Sequence, residues 1–166
     1  DSDAFACCIN LSFASLPLCT YLGMYAFYSC PIYSISLPKC TCVGYGAFNN
    51  CSSLRTIELP NCSYLYSYAF QNCYRLSSVS ASKCVLISQY TFRGCQSLTK
   101  LIFSSCIYVG AYAFADCTSL SKIEIPKCTS IGFDGFSYCT SLKTLNIPNC
   151  QMIEREAFFN CTELSS

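Results

Sequence analysis

The sequence predicts a strand-dominated solenoid of the α/β class. It is read as a right-handed coil with a parallel sheet of about seven short strands on its concave side and turns or short helical segments on its convex side. Three observations predict it. Phenylalanine recurs at Phe5, Phe27, Phe48, Phe70, Phe92, Phe114, Phe136 and Phe158, in steps of 22 residues with a single step of 21. Cysteine recurs in two columns locked to the same period. Between the columns, short segments alternate apolar and polar residues at period two, as half-buried strands do. Self-similarity at one fixed period means stacked units, each with an apolar face that only its neighbours can bury.

Each element of the unit follows from these columns. Three residues after each Phe stands Cys8, Cys30, Cys51, Cys73, Cys95, Cys117, Cys139 or Cys161, and a second column runs through Cys19, Cys40, Cys62, Cys84, Cys106, Cys128 and Cys150. Of the 17 cysteines only Cys7 and Cys42 fall outside. Aligned on the columns, a unit reads A-F-x-x-C-x-x-L-x-x-I-x-L-P-x-C-x-x-I-g-x-x, most cleanly from Ala113 to Arg155. The short step has a local cause: between Cys30 and Ile32 only Pro31 stands, where other units have two residues, so the loss falls in a turn and spares the strand register. Segments from Leu54 to Leu65, Leu120 to Ile131 and Leu142 to Ile153 fit L-x-x-L-x-L-x-x-C-x-x-L, the constant half of a leucine-rich repeat. Pairs such as Ile57/Leu59, Ile123/Ile125 and Leu145/Ile147 supply the period-two strand, and Pro17, Pro38, Pro60, Pro126 and Pro148 end it, because proline cannot donate to a ladder. At about 4.8 Å per rung, seven such strands make a sheet on the order of 30 Å long.

The remaining half, Gly-x-x-Ala-Phe-x-x-Cys as in Gly110 to Cys117, resembles the BspA-type, or Treponema-type, leucine-rich repeat. The resemblance covers essentially the whole chain through seven complete units. It implies a leucine-rich repeat solenoid and a family found on host-associated bacteria and in parasitic protists. It also implies adhesion to, or recognition of, matrix, host or microbial protein or glycan ligands, and with that an extracellular or cell-surface location. Two departures stand out. The second cysteine column is filled throughout, where many members carry a small or aliphatic residue, and Ser82 and Ser104 replace proline, which is expected to soften the strand ends in mid-array.

Residues 1–166 therefore read as a single array of about seven 22-residue units. It opens on a half-unit and stops just after Leu164 with no polar cap, as an excerpt of a longer array would, and bare ends would favour neighbouring repeats or end-to-end stacking. A net charge of +1 with 11% charged residues gives no reason to expect nucleic acid as a partner. The apolar runs are a few residues long, far short of the roughly 20 that cross a bilayer, so membrane insertion is not expected either.

The cysteines admit three readings. Thiols fill inward slots as small hydrophobes, the second column bonding to loop backbone as asparagine does in related repeats. Alternatively, adjacent rungs are bridged, since neighbouring Cα atoms of a parallel ladder fall within the roughly 4.4–6.8 Å that a disulfide spans; yet the total is odd and every bridge would pull in-register side chains together. A structural zinc site is the third reading, but Cys40-Thr-Cys42 and Cys7-Cys8 lack a matching second pair. Cys7 and Cys42 are the candidates for exposed or half-buried spare thiols.

Catalysis is not expected, and neither are cofactors. Histidine is absent, which removes the commonest general base and the commonest metal imidazole. Glu58 and Glu124 occupy equivalent strand slots three units apart, very roughly 14 Å at the ladder spacing, while two carboxylates acting on one glycosidic bond lie within about 9.5 Å. Glu154 and Glu156 belong to the turn before Phe158 and read as solvated charge, and no phosphate-cradling glycine loop occurs.

What remains is a binding surface. Outward strand slots hold Arg55, Thr56 and Glu58; Ser77, Ser78 and Ser80; Thr99, Lys100 and Ile102; Ser121, Lys122 and Glu124; and Lys143, Thr144 and Asn146. Lys100 and Lys122 sit in adjacent rungs with Arg55 and Lys143 to either side, a mildly basic centre suited to an acidic glycan or peptide, set against ordinary solvation of a sheet face. A tyrosine column at Tyr25, Tyr68, Tyr90 and Tyr112, each two residues before a column Phe, is expected to pack in the convex turns, with lateral assembly as the alternative if it is exposed. Sequons at Asn10, Asn50, Asn61 and Asn160 read as by-products of the repeat. The leading expectation is a non-catalytic binding module; a stalk or filament of stacked repeats and an intracellular scaffold are the alternatives.

Overall fold

The computed structural model describes residues 1–165 and contains 14 short strands and, among the described residues, no helix. Each unit contributes a three-residue strand and then a two-residue strand: β1 (Phe13–Ser15) and β2 (Tyr21–Leu22), β3 (Ser34–Ser36) and β4 (Cys42–Val43), β5 (Thr56–Glu58) and β6 (Tyr64–Leu65), β7 (Ser78–Ser80) and β8 (Leu86–Ile87). The later units continue with β9 (Lys100–Ile102) and β10 (Tyr108–Val109), β11 (Lys122–Glu124) and β12 (Ser130–Ile131), β13 (Thr144–Asn146) and β14 (Met152–Ile153). All pairings are parallel and join one unit to the next at the same slot, Ile57 opposite Val79 and Val79 opposite Leu101. The parallel-strand solenoid is thus the predicted fold, and its third side takes the turn option, not the helical one.

The sheet itself is partitioned differently from the expectation. The two-residue strands, β2 to β14, make one unbroken seven-stranded sheet, whereas the three-residue strands pair as β1-β3, β5-β7-β9 and β11-β13. The first interruption coincides with the shortened unit: the bond that enters β5, from the Arg55 N–H to the Tyr33 carbonyl, is stretched to 3.4 Å. Serine at position 82 leaves the strand end in place: β7 stops at the same slot as β5, and the Ala81 N–H donates to the Ile102 carbonyl at 3.0 Å, as Leu59 does to Ser80 at 2.8 Å. Strand β9, before Ser104, also stops at that slot, but the second interruption of the sheet falls there, since β9 does not pair with β11.

Inward slots of both strand series are apolar, and they meet the Phe column in one continuous core. Ile57, Val79 and Ile123 come from the first series, Val43, Leu65, Ile87, Val109 and Ile131 from the second, and all are buried. The eight Phe rings stack along the solenoid with neighbouring centroids 4.9–5.5 Å apart and ring planes within 17° of parallel. Phe27 to Phe136 are buried; Phe5 and Phe158, in the first and last units, are partly open.

The turns around each Phe have a backbone of their own. Amides alternate between bonding along the solenoid and folding back: Phe70 donates to Thr91 in the next unit at 2.8 Å, and Gln71 donates back to Tyr68 at 3.1 Å. The slots two residues before and two after each Phe adopt positive φ, for example Tyr68 at 63° and Asn72 at 58°. Such a conformation costs an ordinary residue on the order of 1 kcal/mol, so it persists only because the inter-unit bonds over-determine it. At two of these slots glycine stands, Gly46 and Gly94.

Two stability outcomes follow. Phe70→Ala should cost about 3–5 kcal/mol through the cavity it opens, and Phe158→Ala clearly less because its ring is already part-solvated, as chemical denaturation of each variant would register. Gly94→Ala should cost about 1–2 kcal/mol, because φ is +75° and the added methyl would meet the Asn72 Oδ1 at 2.7 Å; an unchanged melting curve would contradict this account of the turn.

Candidate ligand-binding face

Pleating of the three-residue strands turns two residues of each outward and one inward, so seven rungs generate parallel outward columns. Register places Thr56, Ser78 and Lys100 in one column and Glu58, Ser80 and Ile102 in the other; Lys122 and Thr144, then Glu124 and Asn146, continue them beyond the gap between β9 and β11. Thr56, Glu58, Lys100, Ile102, Lys122, Glu124 and Thr144 are exposed and Ser78 is half-buried. Arg55 and Lys143 precede their strands and are exposed in a third column with Tyr33, Ser77 and Thr99. That column is fixed by backbone bonds such as Ser77 N–H to the Arg55 carbonyl at 2.8 Å.

Charge on this face is distributed less simply than the residue order suggests. The Lys122 Nζ lies 2.8 Å from the Glu124 Oε1 of its own strand, and the Lys143 Nζ lies 3.4 Å from the Glu163 Oε2. Among the described residues Lys100, Arg55 and Arg75 have no carboxylate within 4.0 Å, so the free positive charge of this face lies on its middle rungs. A cleft of about 490 Å³ opens there between Pro31, Tyr33, Ser53, Arg55 and Arg75, and a smaller one of about 260 Å³ lies beside it with Glu58 on its wall. Arg75 is absent from the strand-slot reasoning because it precedes the Leu slot; the shortened unit facing it was the available signal.

The tyrosine column packs. Tyr25, Tyr68, Tyr90 and Tyr112 are half-buried, and where Gly46 interrupts the column Tyr45 fills in, 5.4 Å from Tyr25 and 5.1 Å from Tyr68. Glycine is required at 46, since a Cβ would come within 2.5 Å of the Tyr25 ring. Arg93 lies over the Tyr90 and Tyr112 rings at 5.8 and 5.9 Å and is paired with Asp116 at 3.5 Å. The row is a structural spine of the turn side. Glu154 and Glu156 likewise have local roles, the first accepting the Phe133 N–H at 2.9 Å and the second pairing with Arg155.

All 17 cysteines are free thiols. The second column donates to the carbonyl two residues ahead, as the asparagine analogy predicts: Cys62 to Tyr64 and Cys84 to Leu86, both at 3.3 Å. The first column does more than fill space. Cys73, Cys95 and Cys117 donate to the carbonyls of Phe48, Phe70 and Phe92 in the preceding unit at 3.1–3.3 Å, a cross-unit bond that the column spacing alone did not disclose. Cys42 is half-buried on β4, outside both columns, while Cys7 and Cys8 in the first unit are exposed. Among the described residues no three His, Cys, Asp or Glu side chains converge on a point where a metal would sit, and no helix is long and apolar enough to cross a membrane.

Burial pushes the column thiols up, Cys40 to about 11 and Cys51 to about 12 from an ordinary 9.0. The folded state therefore resists ionisation that the unfolded chain accepts. Their contribution to stability is complete below about pH 9 and is lost as pH rises toward about 12. A urea midpoint that is flat up to about pH 8.5 and falls above it is expected, and a midpoint constant through about pH 11 would contradict it. Under native conditions a thiol reagent should label the exposed Cys7 and Cys8 well ahead of buried column members such as Cys51, Cys73 and Cys95, as mass spectrometry of the peptides would show.

Comparison with known proteins agrees with this geometry. The family described as BspA type leucine-rich repeat region matches in six copies, over residues 1–105 and 65–166. Among solved structures, a leucine-rich repeat protein of Treponema pallidum superposes with a TM-score of 0.84 at 26% identity, covering 93% of this chain and 79% of that one. A leucine-rich repeat protein from Bacteroides ovatus gives 0.77 at 27% identity, covering 96% of this chain, which spans 49% of it. A leucine-rich cell surface protein from Faecalibacterium prausnitzii shares the fold at 23% identity, with a TM-score of 0.67 over 99% of this chain and 61% of its own. Curated proteins give no match. The chain belongs to the BspA-type leucine-rich repeat family.

Proposed function

We propose that the chain is a non-catalytic recognition module of the cell surface or extracellular space, binding a protein or glycan through the outward face of its three-residue strands. The observation that carries this reading is the contrast between columns. Inward slots repeat Ile, Val, Leu, Phe and Cys from unit to unit, while the outward ones change through Arg55, Thr56, Glu58, Ser78, Lys100, Ile102, Lys122, Glu124, Lys143 and Thr144. A surface free to vary on a rigid, regular frame is what recognition uses, and function resides in such a site and not in the fold. The placement outside the cell rests on the family. Binding to glycan and protein arrays is the test: at least one ligand should be retained, and Lys100→Glu with Lys122→Glu should weaken an acidic one about tenfold or more. Failure to bind any arrayed ligand would overturn the reading.

A structural role in end-to-end assembly is the second reading, favoured by the in-register parallel pairing that joins each unit to the next along one axis. Electron microscopy of concentrated protein should then show rods; dispersed single particles at every concentration would eliminate it.

A further inference from the structure

We propose that the cleft at the shortened unit is a specific site for an anionic saccharide, its carboxylate or sulfate held by Arg55 and Arg75. This rests on the outward face being a ligand-binding surface. The cleft lies where the repeat is broken: Pro31, alone in the span where other units have two residues, lines it together with Ser53. Its volume of about 490 Å³ lies within the roughly 300–1,000 Å³ range of small-ligand sites.

The lining matches a charged sugar. Arg55 stands beside Tyr33 in one column, and Arg75 beside Ser53 in the other, so two guanidiniums from adjacent units converge on one opening. Neither has a carboxylate within 4.0 Å among the described residues, although four other cations of the chain are paired. Guanidinium forks bind planar oxyanions through two parallel hydrogen bonds, a geometry that lysine does not supply. Tyr33, 50% exposed, offers a ring face for the apolar side of a pyranose and a hydroxyl for its rim. An acidic peptide suits the place less well: the adjoining cleft carries the Glu58 carboxylate, which repels a second acidic side chain but accepts hydrogen bonds from sugar hydroxyls.

The experiment is a calorimetric titration of the chain with a glucuronate-containing disaccharide, its uncharged glucose counterpart, a sulfated disaccharide and a glutamate-rich hexapeptide. One or both charged disaccharides should bind, and which one does identifies the anion. The neutral sugar should bind at least about tenfold more weakly, and Arg55→Gln with Arg75→Gln should lose about tenfold or more. Tyr33→Ser should weaken binding severalfold while Lys127→Gln, exposed in the turn between β11 and β12 and outside the outward strand columns, leaves it unchanged. Circular dichroism confirms that these exposed substitutions fold. Tighter binding of the hexapeptide, equal binding of the neutral sugar, or indifference to both arginine substitutions overturns the proposal. If arrayed ligands respond to Lys100 and Lys122 but not to the arginines, this site falls and the recognition module stands; if nothing binds at all, both fall.

Discussion

The structure depends on one constraint, the in-register stacking of each unit's backbone on the next. Strand pairs on two sides and every other amide bond of the turns on the third run along the solenoid axis, the remaining turn amides folding back within their own unit, so each unit depends on its neighbours for its strand pairing and its turn conformation. The column chemistry follows from that. Once spacing is common to all rungs, identical side chains fall on one another, and only groups that tolerate their own kind at about 5 Å can form a column: stacked Phe rings, branched aliphatics, and thiols that each donate to a backbone carbonyl. Charges do not appear in the inward columns, because a row of like charges with no water would be ruinous.

The backbone constraint also explains the unusual conformations beside each Phe. Positive φ at Tyr25, Tyr68, Tyr90 and Tyr112 is unfavourable for a large residue taken alone. Here the bonds to the next unit fix it, and the stacked rings recover part of the cost, with neighbouring centroids at 4.8 Å between Tyr68, Tyr90 and Tyr112. Where the column breaks, at Gly46, the backbone keeps its conformation and the adjacent Tyr45 supplies the ring.

Legibility of the sequence tracks this division. The Phe and Cys columns and the first strand of each unit were readable because inward slots obey a fixed period, and Ile57, Ile123 and Leu145 lie where that period puts them. The second strand series escaped because two residues are too short to show alternation, although Leu22, Val43, Leu65, Ile87, Val109 and Ile131 mark it in hindsight as an aliphatic column three residues after each second cysteine. Most outward slots fall on exposed strand positions, with Arg55 and Lys143 just before their strands and Ser78 half-buried, yet their electrostatics was not readable: that Lys122 turns to Glu124 and Lys143 to Glu163 depends on side-chain reach and not on period. Arg75 is not legible as a site residue for a related reason: it precedes the Leu slot, outside the strand columns, and meets Arg55 only across the cleft that Pro31 lines.

A perfectly periodic array has a weakness as a receptor. Any ligand that reads a single unit finds the same contact at every rung and slides among equivalent registers, so affinity accumulates without position. The missing residue beside Pro31 removes that degeneracy. It gives the array an origin, a single rung that differs from the other described rungs in backbone length as well as in side chains.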